Sequence, residues 1–321
     1  MNMLLAGLSV VNLIGRVPGG VSQGLIWGIM ALGVFITFRV LDIADLSVDG
    51  SFATGGAVAV MLSIGGVPTW LATICALLAG IIAGFVTGLL HAKLGIPAIL
   101  AGILTQFALY SINLRIMGMA ANQSINPAMY NLVISMRNIP VAIIEGVIFA
   151  AIIIALLYWY FGTEQGSALR ATGNNGAMST ALGINISTMK IIGLAISNGV
   201  VAFAGGLMAQ YQGFSDVNMG RGAIVIGLAA IIIGEILCDA IFKKGCPFWV
   251  RMGFVVLGGI IYYLVVVVVL WLRLNSNMLK FFTAVIVAVF LAFPNIRSHS
   301  QNSFAKAGRN SVRTLSGKGS E

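Results

Sequence analysis

The chain has 321 residues, of which 59% are apolar and only 8% charged, with a net charge of +9 and a mean hydropathy of +1.01. A soluble domain carries about 25% charged residues, so this composition excludes one. The positive excess is spread over short loops and a polar C-terminal stretch, a distribution that argues for membrane orientation and against nucleic acid.

Residues 3–14 are apolar but lack a basic leader and a small-residue cleavage site, so they do not read as a signal peptide. We take residues 1–20 as a lead segment. Nine apolar segments follow, at 21–39, 48–64, 68–90, 96–113, 139–161, 190–211, 222–240, 249–271 and 278–294. Most approach the ~20 residues needed to cross a hydrocarbon core. The predicted fold class is all-α: a polytopic transmembrane helical bundle, with broken helices and a candidate inverted repeat, over residues 21–294. Segments 48–64 and 222–240 are interrupted by glycine, and the number of full crossings depends on them. Forty glycines suit close helix approach, and Gly80, Gly84 and Gly88 make a packing stripe down one helix face. Residues 295–321 are read as a basic, disordered cytoplasmic tail.

The segment Gly166-Ser-Ala-Leu-Arg-Ala-Thr-Gly-Asn-Asn-Gly-Ala-Met-Ser-Thr-Ala-Leu-Gly-Ile184 separates two long spans, inside a polar loop at 162–190. It carries one arginine and a short helix-capable run from Ala177. Small, nearly uncharged and flanked by glycines, it has the character of a surface that docks another protein.

Placing this loop and the C-terminus inside gives the interior seven basic loop residues (Arg39, Lys93, Arg170, Lys190, Lys243, Lys244, Arg251) plus five in the tail. The exterior then holds Arg16, Arg115, Arg137, Arg221, Arg273 and Lys280. Twelve against six fits the positive-inside rule, and nine crossings put the N-terminus outside.

Two stretches echo each other. Gln23-Gly-Leu through Arg39 leads to Asp45-Leu-Ser-Val-Asp-Gly and a Gly/Ala-rich helix. Leu194 through Tyr211 leads to Asp216-Val-Asn-Met-Gly and another glycine-rich helix. In this topology the two start on opposite sides, the pattern of an inverted repeat whose broken helices sit at a transport site.

The polar residues inside the apolar segments are the candidate pathway: Asp45, Ser47, Asp49, Gln106, Asn113, Asn198, Asp216 and Asn218. If residues 42–49 are helical, Asp42, Asp45 and Asp49 share one face; the alternative is a solvated turn with Asp49 or Ser51 capping the next helix. Gln106, Tyr110 and Asn113 form one stripe at helical spacing. Glu145 and Glu235 stand within apolar spans, where a carboxylate faces the bundle or a water-filled cavity. Two roles stand open for them, interhelical glue or gating, and in the alternative reading of an ion-coupled secondary transporter one of them is the proton or sodium site.

No enzyme signature is present. There is no phosphate-binding G-x-x-x-x-G-K-[ST] loop and no Ser/His/Asp set. His91 and His299 lie far apart, and Cys75, Cys238 and Cys246 lack metal or disulfide spacing, so no metal, cofactor or disulfide framework is expected.

Gln23-Gly-Leu-Ile-Trp-Gly-Ile-Met-Ala-Leu-Gly-Val with Ile43-Ala-Asp-Leu-Ser-Val-Asp-Gly-Ser-Phe resembles the opening of the branched-chain amino-acid type of ABC-importer permease. The block 166–183, then Leu194, Ser197-Asn-Gly, Gly205-Gly-Leu and Tyr211-Gln-Gly, resembles that family's cytoplasmic coupling loop and following helix. The resemblance spans residues 21–294. It implies a transport subunit in a bacterial cytoplasmic membrane, embedded in lipid, with two permeases forming the pathway; closed two-fold symmetry points to a second copy of this chain, a homodimer, and a heterodimer with a related permease is the alternative. It also implies a separate ATPase that holds the ATP and an extracytoplasmic binding protein that delivers substrate. Leu169, Arg170, Ala171, Gly173, Asn174, Ala177, Leu182 and Gly183 would contact the ATPase. Eight true spans are implied, so one of the nine segments would be mis-split or re-entrant. Asp45-Leu-Ser-Val-Asp49 replaces the Asn-Phe-Ala-His-Gly of typical members. This is similar to a subgroup linked to uptake of amino acids, aromatic ones included, and puts a leucine-type substrate in doubt.

Overall fold

A computed structural model describes residues 10–127, 129–242 and 246–271, together with Val285 and Ala288. Among them are ten α-helices, one π-helical turn and two short strands. In chain order they are α1 (Val10–Phe35), extended by the π-helical turn Ile36–Val40, then α2 (Val48–Ile64), α3 (Thr69–Ala92), α4 (Ala98–Ile116), β1 (Asn122–Ser124) and α5 (Ile139–Gly162). There follow α6 (Glu164–Asn174), α7 (Gly176–Ala181), α8 (Ile186–Gln212), β2 (Phe214–Asp216), α9 (Ala223–Phe242) and α10 (Phe248–Trp271). Seven described helices are long and apolar enough to cross a membrane, and α2 is a shorter apolar one. The chain is an all-α polytopic bundle. The expected segment at 278–294 and the tail 295–321 lie outside the described residues, Val285 and Ala288 apart.

Local chemistry sets the boundaries. Pro68 and Pro97 precede α3 and α4, where extended backbone at proline cannot continue the previous turn. Asn175 and Asn185 cap α7 and α8, each side chain accepting from a backbone N–H three residues on. Gly213 ends α8 at φ +78°, a left-handed conformation that favours glycine.

α1 and α8 are the most buried spans, while α4 and α5 are largely exposed. The two central helices run antiparallel: Gly33 meets Ser197, and Leu41 meets Gly193. The Ser197 hydroxyl donates to the Gly33 carbonyl at 2.7 Å. Around them the packing repeats. α3 lies on α8 as α10 lies on α1, and α2 flanks α8 as α9 flanks α1. Small residues make each contact possible. A Cβ on Gly80 or Gly84 would strike the backbone of Asn198 or Leu194, and one on Gly24 or Gly28 the backbone of Ile260 or Val256. The glycine stripe read from the sequence is thus the α3–α8 seam. The echo between the stretch opening at Gln23 and the one opening at Leu194 corresponds to two helix sets packed in opposite directions.

The doubtful segments acquire a definite form. α2 runs parallel to α8 but starts beside Asn198, the thirteenth of its 27 residues. α9 runs parallel to α1, with Gly227 against Met30 and Val34, and Glu235 against Arg39. Each traversal is therefore part irregular chain and part helix. Residues 41–47 and 217–222 supply the irregular parts, which is tolerated at such depth only inside protein. Among the described residues, 48–64 and 222–240 are the helical parts of broken, re-entrant traversals. Residues 41–47 are not helical, so Asp42, exposed and at φ +57°, does not share a face with Asp45 and Asp49.

The bundle has two ends. One carries α6, α7 and the pair formed by Arg39 and Glu235. The other carries β1 and β2, paired antiparallel with Gln123 opposite Ser215. Cys238 of α9 and Cys246, just before α10, lie side by side, their Cα atoms 6.7 Å apart. The sequence reading missed this pair because their proximity comes from the antiparallel α9–α10 hairpin.

Candidate functional site

The two irregular segments enter the bundle from opposite ends and stop at the same level. Both use the same turn: Asp45 Oδ1 accepts from the N–H of Ser47 at 2.8 Å, and Asp216 Oδ1 from that of Asn218 at 2.6 Å. A short carboxylate that bonds its own backbone two residues on is the usual way to reverse a chain without a helix. Beyond the turns, the N-termini of α2 and α9 face each other. Gly220 packs against the backbone of Asp49 with no room for a Cβ. The Asp49 carboxylate accepts from the N–H of Gly222 at 2.9 Å and of Ile224 at 3.0 Å. Asp49 therefore caps α9, the other repeat's broken helix. Two positive helix ends converge here, and one carboxylate offsets them.

A second polar group lies below this junction. Asp45, 2% exposed, accepts from the Asn198 amide at 2.7 Å and from the Ser47 hydroxyl at 2.6 Å. Asn198 also donates to the Leu194 carbonyl at 3.0 Å. Gly102 of α4 presses on this turn, where a Cβ would meet the N–H groups of Leu46 and Ser47. Asp45, Ser47 and Asn198 thus form a closed structural knot.

Against the junction lies a cavity of about 250 Å³, floored by Asp49 and Gly50 and walled by Gln106, Tyr110 and Asn113 of α4. Asn218 and Arg221 complete its polar lining, with Phe107 and Val217 as the apolar part. Asn113 is 1% exposed, yet neither its amide nitrogen nor its oxygen has a hydrogen-bond partner. The Asn218 side-chain oxygen is likewise unpaired. Four of the eight sequence-derived pathway residues (Asp49, Gln106, Asn113, Asn218) line this cavity, while Asp45, Ser47 and Asn198 sit in the knot and Asp216 holds the turn.

Arg221, expected on the outer side just before the segment 222–240, stands in the re-entrant chain on the cavity wall. Hydropathy gave no signal for it, because one charged residue between two apolar segments looks like a loop. Glu235 is paired with Arg39 at 2.7 Å and approached by Arg251 at 4.0 Å, near the end of α1, which does not favour its use as an ion-coupling group. Glu145 is partly buried on α5.

The polar loop 162–190 is two helices. α6 packs inward: Leu169 is fully buried, and a Cβ on Gly173 would meet the Val40 carbonyl. Arg170 donates to the Phe161 carbonyl at 2.8 Å and lies over the Phe248 ring. α7 and its exit turn project outward, with Met178 61% and Leu182 67% exposed. Asn174, Ala177 and Gly183 share that exposed surface, and Ala171 is half-buried.

The chain is similar to several known proteins. It is 40% identical to the tyrosine transport system permease protein of Clostridioides difficile (strain R20291), over 89% of this chain and 93% of that one. It is 36% identical to an uncharacterised protein of Rickettsia prowazekii (strain Madrid E), over 66% of this chain and 74% of that one. It is 29% identical to the autoinducer 2 import system permease protein LsrC of Salmonella typhimurium (strain LT2), over 67% of this chain and 61% of that one. No solved structure matches. Residues 17–294 match the family described as branched-chain amino acid transport system / permease component. With its broken, inverted repeats and seven apolar spans among the described residues, the chain is a multi-pass membrane protein that belongs to the branched-chain amino acid transport system permease family.

Proposed function

We propose that this chain is the pathway-forming subunit of an ATP-driven importer for amino acids, aromatic ones among them. The observation that carries the reading is the 40% identity to a tyrosine transport permease over nearly the whole length of both chains. The absence of any phosphate-binding loop in the sequence agrees with ATP hydrolysis on a separate subunit. The exposed apolar side chains of α7 and its exit turn, Met178 and Leu182, are the surface offered to that ATPase, and the end bearing α6 and α7 faces the cytoplasm. The N-terminus and the β1–β2 end then face outward, toward a binding protein that delivers substrate. The polar tail 295–321 follows inside.

Two copies pair about a two-fold axis, the commonest closed arrangement, and two α7 surfaces then meet two ATPase subunits. Co-expression of the chain with its ATPase, and no second permease, yields a complex with two copies of each. A strict requirement for another permease chain overturns the homodimer.

A further inference from the structure

We infer that the cavity at the junction of the broken helices is a substrate site within each permease protomer, built for the zwitterionic head of an α-amino acid. The inference rests on the importer reading and adds to it a site in the membrane subunit.

Three features carry it. First, the cavity presents one cation and one anion. Arg221 has no ion pair among the described residues, and Asp49 is bonded only by backbone amides. A guanidinium that is free to donate suits a carboxylate, and Asp49 retains acceptor capacity for an ammonium. Second, the cavity wall holds unpaired polar atoms. Asn113 is buried with both ends of its amide unsatisfied, and the Asn218 oxygen is unsatisfied beside it. A native fold keeps a buried, unpaired amide where something else completes it. An ammonium group would be accepted by the two asparagine oxygens, and the Asn113 nitrogen would donate to the carboxylate. Third, Phe107 and Val217 line the remainder with apolar surface, which takes a side chain without reading it closely. Recognition of the head with tolerance of the side chain is what a membrane subunit needs when it receives an already selected substrate.

The test reconstitutes the full chain with its ATPase and binding protein in proteoliposomes, with radiolabelled L-tyrosine as the probe. Wild type is compared with Asn113→Leu, Arg221→Gln and Arg221→Lys. The leucine substitution keeps the branched shape and heavy-atom count and removes the unpaired amide, so the melting temperature rises by a few degrees while uptake falls roughly tenfold or more. Arg221→Gln loses uptake to a similar degree, and Arg221→Lys recovers part of it. Uptake by the two main variants within about twofold of a transporting wild type overturns the site and leaves the importer reading intact. A fall in both melting temperature and uptake for Asn113→Leu assigns the residue to structure and also overturns it. No ATP-driven uptake by wild type removes the importer reading, and the site with it.

Discussion

The carboxylate of Asp49, on the first turn of α2, accepts a 2.9 Å hydrogen bond from the backbone N–H of Gly222, 173 residues further along the chain. This contact ties the start of one broken helix to the start of the other, at the level where the two inverted halves meet. It fixes the separation of the two irregular segments, and with it the floor of the cavity. Removing it should be felt at both helices.

Asp49→Ala is therefore expected to cost about 2–3 kcal/mol, since two charge-assisted bonds are lost and two partly buried N–H groups are left without that acceptor. Asp49→Asn, which keeps one acceptor oxygen, should cost about half as much. Thermal unfolding of the purified chain checks this. Equal melting temperatures for the alanine variant and wild type would show that α9 is held by other means.

The knot beneath it predicts strong coupling between distant positions. Asn198→Ala strips the buried Asp45 of its 2.7 Å donor, for about 1.5–3 kcal/mol. Adding Asp45→Asn to that variant should cost less than the sum of the two single changes, because the charge that lacked a donor is then gone. Strict additivity in a double-mutant cycle would mean the two side chains do not depend on each other.

Glycines at the helix seams and glycines facing open space should behave oppositely. A Cβ on Gly84 meets the Leu194 carbonyl, whereas one on Gly253 meets nothing within 4 Å. Gly84→Ala is expected to lower stability by about 1–3 kcal/mol through forced separation of α3 and α8. Gly253→Ala should stay within about 0.5 kcal/mol of wild type. A reversed order in membrane yield and melting temperature would contradict the packing described.

The α6–α7 segment should divide into two phenotypes. Met178→Asp and Leu182→Asp change exposed side chains, so the permease stays folded while ATPase association falls by tenfold or more, the effect of placing charge in an apolar contact. A bulky residue at Gly173 would instead strike the Val40 carbonyl and damage the permease itself. Size-exclusion profiles of each variant, with and without the ATPase, separate the two effects.

The helices were legible because about 20 apolar residues in a row leave the chain few alternatives, and most boundaries fall within a few residues of the expected ones. The inverted repeat was legible through two Asp-containing motifs after two glycine-rich helices. What could not be read was where these motifs turn. Composition gives no sign that Asp49 caps a helix 173 residues away, and a cap normally serves its own helix. The place of Arg221 on the cavity wall was hidden for the same reason: re-entrant chain has the polarity of a loop. The inward packing of Leu169 and Gly173 also escaped, since a polar loop reads as exposed unless the contact with Val40 and Gly193 is known.

The most direct measurement of the central claim is uptake into proteoliposomes that hold the chain with its ATPase and binding protein, compared with proteoliposomes that hold the chain alone. The importer predicts accumulation of L-tyrosine only in the complete system and only with ATP on the ATPase side, and none by the chain alone under a proton or sodium gradient. Uptake by the chain alone, driven by an ion gradient and abolished by Glu145→Gln, would contradict it and identify a secondary transporter.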